Sequence, residues 1–132
     1  MPDKMKLANE WFEKGEHDIE GARLLFERGH FTDTIAMLIQ QAIEKYLKGL
    51  LIFNGWRLRK IHDLVTLLAE AVKYNPAFQE FEDDCRRISE YYFQSRYPGR
   101  MPIDYPREEI RKSIDVADIL IEKIKRSAVD KI

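Results

Sequence analysis

The sequence predicts an all-α protein, an up-and-down bundle of four main helices plus a short fifth, and three observations predict it. Apolar residues recur at three- and four-residue intervals along almost the whole chain, and no stretch shows the strict alternation of a half-buried strand. The stretch Thr34–Asn54 is apolar on more than one face, as a central helix surrounded by others should be. Late in the chain, Ile110, Ile114, Ala117, Ile121, Ile124 and Ala128 step alternately by four and three, a heptad seam suited to long antiparallel packing.

Each element has its own signals. The first helix is expected from about Lys4 to Arg28, with Leu7, Trp11, Asp18, Ala22 and Leu25 on one stripe and Gly29 as a left-handed stop. Asp18 lies on the stripe that should face the core, so its carboxylate needs a partner. Thr32 or Asp33 is the expected cap of the second helix, which Asn54-Gly55 ends. A loop with Trp56, Arg57, Arg59 and Lys60 comes next. His62 or Asp63 then opens the third helix, with Leu64, Val65, Leu67, Leu68, Ala71 and Val72 as its buried side. Asn75 caps a fourth helix with Pro76 in its first position, and Phe78, Phe81, Cys85, Ile88 and Tyr92 repeat along it. The proline-rich stretch after Ser95 breaks the pattern. Pro106, Glu108 and Glu109 mark the start of the last helix, where acids suit the helix dipole.

The bulk numbers bound the possibilities. A chain of 132 residues fits one domain spanning 1–132 and is long enough for its own core. With 22 Lys and Arg against 23 Asp and Glu, the near-balance argues against a generally basic nucleic-acid binder. The single Cys85 excludes an internal disulfide framework and a thiolate cluster, and its apolar neighbours suggest an inert buried thiol. The three histidines are scattered without metal-ligand spacing, and the six glycines form no phosphate loop. No leader-like apolar segment opens the chain, and no run approaches the roughly 18 apolar residues of a membrane span, so a cytoplasmic location is expected. Abundant Glu, Lys and Arg with few Asn and Gln suit a thermophile.

Three local patterns occur in order: QQAIEKYLKGLL at Gln40–Leu51, HDL at His62–Leu64 and YYFQSRYP at Tyr91–Pro98. With an N-terminal helix carrying Trp11 and Asp18, they resemble the HEPN domain family (higher eukaryotes and prokaryotes nucleotide-binding) from about Leu7 to Ile124. The resemblance implies a helical bundle that is commonly a homodimer. It also implies a partner, since such small proteins are often encoded beside a minimal nucleotidyltransferase and are thought to bind a nucleotide or assist that enzyme. Another branch of the family consists of metal-independent RNases of toxin–antitoxin systems, whose signature is an Arg followed four to six residues later by a His, late in the domain. Here RYP stands in place of that motif, and no histidine follows Arg96 or Arg100. The departure favours the non-nucleolytic branch.

Phosphate recognition needs cations or free backbone N–H groups, and base recognition needs an aromatic face. The candidate nucleotide-binding residues are therefore Lys45, Lys48, His62, Arg96, Tyr97 and Arg100, with Asp18, Gln41 and Glu44 as structural polar groups. No resident cofactor or metal is expected; a nucleotide is the candidate ligand. The bland alternative makes Arg96 a partner of Asp18 or Glu44, His62 a helix-start residue, the tyrosines packing groups and the lysines solvated, which would leave a structural dimeric adaptor. A catalytic alternative uses Arg57 and His62, with four residues between them, as a metal-independent RNase pair across a dimer.

Overall fold

The computed structural model describes residues 3–96 and 104–129. Five α-helices succeed one another: α1 (Lys4–Glu27), α2 (Thr32–Phe53), α3 (Leu64–Val72), α4 (Glu82–Arg96) and α5 (Arg107–Val129). A 3-10 turn, Pro76–Phe81, leads into α4. There is no strand among the described residues. Four long helices and a short one form the all-α bundle that the periodicity predicts.

Helix α2 is the hub. Fifteen of its 22 residues are buried, and α1, α3, α4 and α5 all pack against it. Its own residues Ile39, Ala42, Ile43, Leu47, Leu50 and Leu51 join Leu64, Leu67, Phe78, Ile88, Ile110 and Ile124 in one continuous core. Burying each such Leu, Ile or Phe side chain fully is worth about 1.5–3 kcal/mol. The heptad seam of α5 lies inside this core: Ile110, Ala117 and Ile124 are wholly buried, and Ile114, Ile121 and Ala128 nearly so. The seam therefore packs within the protomer, and its apolar surface is unavailable to a second copy.

Helices α1 and α2 approach closely through a reciprocal notch. A Cβ on Gly15 would sit 2.7 Å from the Tyr46 ring, and one on Gly49 would sit 2.5 Å from the Phe12 ring and 3.0 Å from the Ala8 carbonyl oxygen. Each helix thus supplies a glycine to receive an aromatic ring of the other. The two rings stack at 5.5 Å.

Both helices end in the same device. After α2, Gly55 takes φ 94°, its N–H donates to the Ile52 carbonyl at 2.9 Å, and Trp56 N–H reaches back to Leu51 at 2.9 Å. This Schellman cap needs a left-handed residue that glycine supplies at no steric cost. It turns the chain sharply toward α3. Gly29 closes α1 likewise, with φ 71°.

Three local expectations change. Phe31, not Thr32 or Asp33, precedes α2, and no side chain caps it. The Thr32 hydroxyl is instead drawn to the segment before α5, accepting from Tyr105 N–H at 2.9 Å and donating to Asp104 at 3.3 Å. Asn75 does act as a cap, accepting from Ala77 N–H with Pro76 in the first position, but the segment it opens is a 3-10 turn before α4 proper. Leu7 is 38% exposed, and the buried line of α1 begins at Ala8. Cys85 is buried, and burial pushes its thiol up to about 12, so it is chemically quiet as expected.

Candidate functional site

The central helix carries Gln40, Glu44 and Lys48 one turn apart on a single stripe, and all three are buried. Buried charges at these positions require mutual compensation. Lys48 Nζ donates to Glu44 Oε2 at 2.9 Å, while Gln40 Nε2 donates to Glu44 Oε1 at 3.0 Å. The Trp11 ring of α1 lies 5.6 Å from Lys48 Nζ, a cation–π contact that completes the ammonium's surroundings. Gln41 donates to Gln40 Oε1 at 2.7 Å and so orients its amide.

His62 meets this stripe from the loop before α3. Its Nδ1 lies 3.0 Å from Glu44 Oε2, and its main-chain carbonyl accepts from Gln40 Nε2 at 3.1 Å. Its ring stacks on Tyr92 of α4, with centroids 4.6 Å apart and planes 18° apart. Asp63 is the residue that opens α3, accepting from Val65 N–H, while Ser89 binds both Asp63 and Leu64 N–H. That leaves His62 free of capping duty. Its side chain is 41% exposed, against 5% for Glu44. The result is an imidazole held from behind by a buried carboxylate and open at its outer edge.

The other candidates divide clearly. Lys45 pairs with Asp18 of α1 at 2.6 Å, so the buried-side carboxylate predicted to need a partner finds it there. Neither of the two lysines is merely solvated. No hydrogen bond or ion pair among the described residues ties the Lys45–Asp18 pair to the His62 group. Arg57, Arg59 and Lys60 are exposed on the loop that delivers His62, with Arg59 over the Trp56 ring at 5.5 Å. The Arg96 side chain, Tyr97 and Arg100 lie outside the described residues; Tyr92, which carries the stack, is one turn before Arg96 on α4. Sequence reasoning missed the contacts that Trp11 and Tyr92 make with Lys48 and His62. Only the four-residue spacing of Gln40, Glu44 and Lys48 signals one shared face.

No group of three or more His, Cys, Asp or Glu capable of holding a metal occurs among the described residues, and no helix among them is long and apolar enough to cross a membrane. A separate cleft of about 400 Å³ is lined by Arg87, Glu108, Glu109, Arg111, Lys112 and Asp115. Arg111 is answered there by Glu108 and the terminal nitrogens of Arg87 by Asp84 and Ser113, while the buried Arg87 Nε has no hydrogen-bond partner among the described residues.

Known proteins resemble this chain along nearly its full length. "Putative toxin MJ1304" of Methanocaldococcus jannaschii is 25% identical over 134 residues, which cover 92% of this chain and 88% of that protein. The crystal structure of ST0689, described as an archaeal HEPN homologue, matches with a TM-score of 0.75 at 26% identity, over 92% of this chain and 97% of the other. TT1696 from Thermus thermophilus shares the fold with a TM-score of 0.74 at 23% identity, over 91% of this chain and 97% of its own. The HEPN domain profile spans residues 8–127, from the first buried turn of α1 to the last turn of α5, and the chain belongs to the HEPN domain family.

Proposed function

We propose that this chain is a toxin–antitoxin-type HEPN protein that binds a nucleotide at the His62 end of the bundle and serves, as a homodimer, as the non-catalytic partner of a minimal nucleotidyltransferase. The observation that carries the reading is His62 itself, a half-exposed imidazole stacked on Tyr92 and anchored by buried Glu44. The name of the M. jannaschii relative supports the toxin–antitoxin setting. Because Lys45 and Lys48 are engaged by Asp18 and Glu44, phosphate recognition falls to the exposed Arg57, Arg59 and Lys60 on the adjoining loop, and Arg96, Tyr97 and Arg100 stay candidates by residue type alone. Guanidinium groups suit phosphate because they offer paired donors in one plane.

Isothermal titration with ATP and GTP tests the binding. Saturable heat that is lost in His62→Ala and weakened in Arg57→Ala and Arg96→Ala is the expected outcome. No heat at millimolar nucleotide, or affinity indifferent to all three changes, ends the reading. Co-purification with a nucleotidyltransferase encoded beside this chain tests the partnership, and light scattering tests the dimer.

One observation favours a second reading. An imidazole backed by a carboxylate is also the arrangement that moves protons, and Arg57 stands on the same loop. Incubation with total RNA in EDTA decides: cleavage abolished by His62→Ala supports a metal-independent RNase, and intact RNA rejects it.

A further inference from the structure

We infer that Glu44 is the positioning residue for His62, fixing the neutral ring as its Nδ1–H tautomer and leaving Nε2 as the ring nitrogen that a ligand meets. Glu44 is surrounded by nitrogen atoms. Its Oε2 faces the Lys48 ammonium at 2.9 Å and His62 Nδ1 at 3.0 Å, and its Oε1 faces the Gln40 amide nitrogen at 3.0 Å. A carboxylate has only lone pairs to give, so Nδ1 must be the donor. A neutral imidazole carries a single N–H, and once that sits on Nδ1 the other nitrogen is bare.

The ring has little room to escape this choice. Gln40 holds the His62 carbonyl at 3.1 Å, Tyr92 covers one ring face at 4.6 Å, and the next residue is fixed as the cap of α3. The same glutamine thus braces both the carboxylate and the histidine backbone. Nε2 has no hydrogen bond among the described residues, in a side chain that is 41% exposed. Histidine in free solution favours the opposite tautomer, with the proton on Nε2, so the assignment reverses the default. The ligand-facing role of Nε2 rests on the nucleotide-binding reading above; the tautomer does not.

Long-range proton–nitrogen correlation NMR on the full chain, in mildly alkaline buffer where imidazoles are neutral, reads the tautomer directly. His62 is assigned by its loss in His62→Gln, and the exposed His17 and His30 serve as internal references. The expected spectrum shows His62 protonated at Nδ1 and bare at Nε2, with the two references in the solution-like form. A His62 ring protonated at Nε2, or averaged like the references, overturns the inference. Glu44→Gln should shift His62 toward the averaged pattern. So should Glu44→Met combined with Lys48→Met, which removes the buried pair together and so leaves no lone charge behind. An unmoved tautomer in the folded double-Met variant, which leaves no acceptor for Nδ1–H, rejects the role of Glu44, and if neither variant folds the wild-type spectrum still decides the tautomer. Added ATP should move the Nε2 resonance. A silent ATP titration with Nδ1 protonated rejects nucleotide binding alone, whereas an Nε2-protonated ring rejects this inference whatever ATP does.

Discussion

Two polar networks flank the central helix, and they differ in how they end. Glu44 and Tyr46, two residues apart, point to roughly opposite sides of α2. On the Tyr46 side, the hydroxyl donates to Glu16 at 2.7 Å, Lys125 approaches the same carboxylate at 3.5 Å, Arg23 lies 3.9 Å from it, and Arg23 continues to Asp118. This network ties α1, α2 and α5 together and is closed in the sense that each of its charged groups meets one of opposite sign, although Arg23, Asp118 and Lys125 reach the surface as far as His62 does. On the Glu44 side the network collects Gln40, Lys48 and His62, then stops at a ring with one edge exposed. The closed network is built for cohesion. The open one keeps hydrogen-bonding capacity at the surface, which is what a binding group requires.

The largest test of this contrast removes the buried anion. Glu44→Ala leaves Lys48 uncompensated in the core and should cost about 3–5 kcal/mol, measured as a lower urea midpoint. A loss under about 1 kcal/mol would mean that the stripe is wetter than its burial implies. Next in size, Gly49→Ala drives a methyl against the Phe12 ring and the Ala8 carbonyl and should cost about 1–3 kcal/mol. An unchanged midpoint would show that the notch relaxes freely.

Tyr46→Phe opens the closed network and should cost about 1 kcal/mol near neutral pH. It has a pH signature as well. Burial works against the charge on Glu16, but the Tyr46 hydroxyl, Lys125 and Arg23 together outweigh it and hold the carboxyl below its ordinary range. A depressed carboxylate contributes stability above its unfolded-state pKa, and that contribution disappears as the pH falls through the lower folded-state value. Tyr46→Phe should therefore lose stability less steeply on acidification than the parent; equal slopes would assign the acid sensitivity to other groups. The smallest effect belongs to Asp18→Ala. Lys45 and Asp18 are 24% and 18% exposed, so Lys45 can turn toward water, and a loss of no more than about 1 kcal/mol is expected.

The features readable in the sequence were local ones. Gly29 and Asn54-Gly55 announce helix ends because a left-handed cap needs glycine whatever the rest of the chain does. Asn75-Pro76 announces a start for a similarly local reason. The heptad seam could be read as a seam, but its partner could not, and α2 of the same protomer takes it. The Thr32 hydroxyl misled because its real partners, Asp104 and Tyr105, arrive from far along the chain. For the candidate site, the types were visible and so was the one-turn pair of Glu44 with Lys48, but the pairings between helices were not. Lys45 and Lys48 look equivalent on paper, yet their long stems lead to carboxylates on different helices. That Tyr92 would lie flat on His62 depends on how α4 crosses the end of α3, which no periodicity encodes.

The reciprocal glycine notch has a mechanical consequence. Sliding α1 along α2 by even one residue, about 1.5 Å, would drive each ring out of its glycine gap and into neighbouring side chains. The two helices therefore act as one beam, doweled at two points against shear and rotation. A ligand or partner engaging His62 pushes on an anchored post, because Glu44 and Gln40 belong to that beam. Structural change on binding should therefore be registered in the exposed part of the loop, Arg57–Lys60, and in α4, while the α1–α2 spine keeps its alignment.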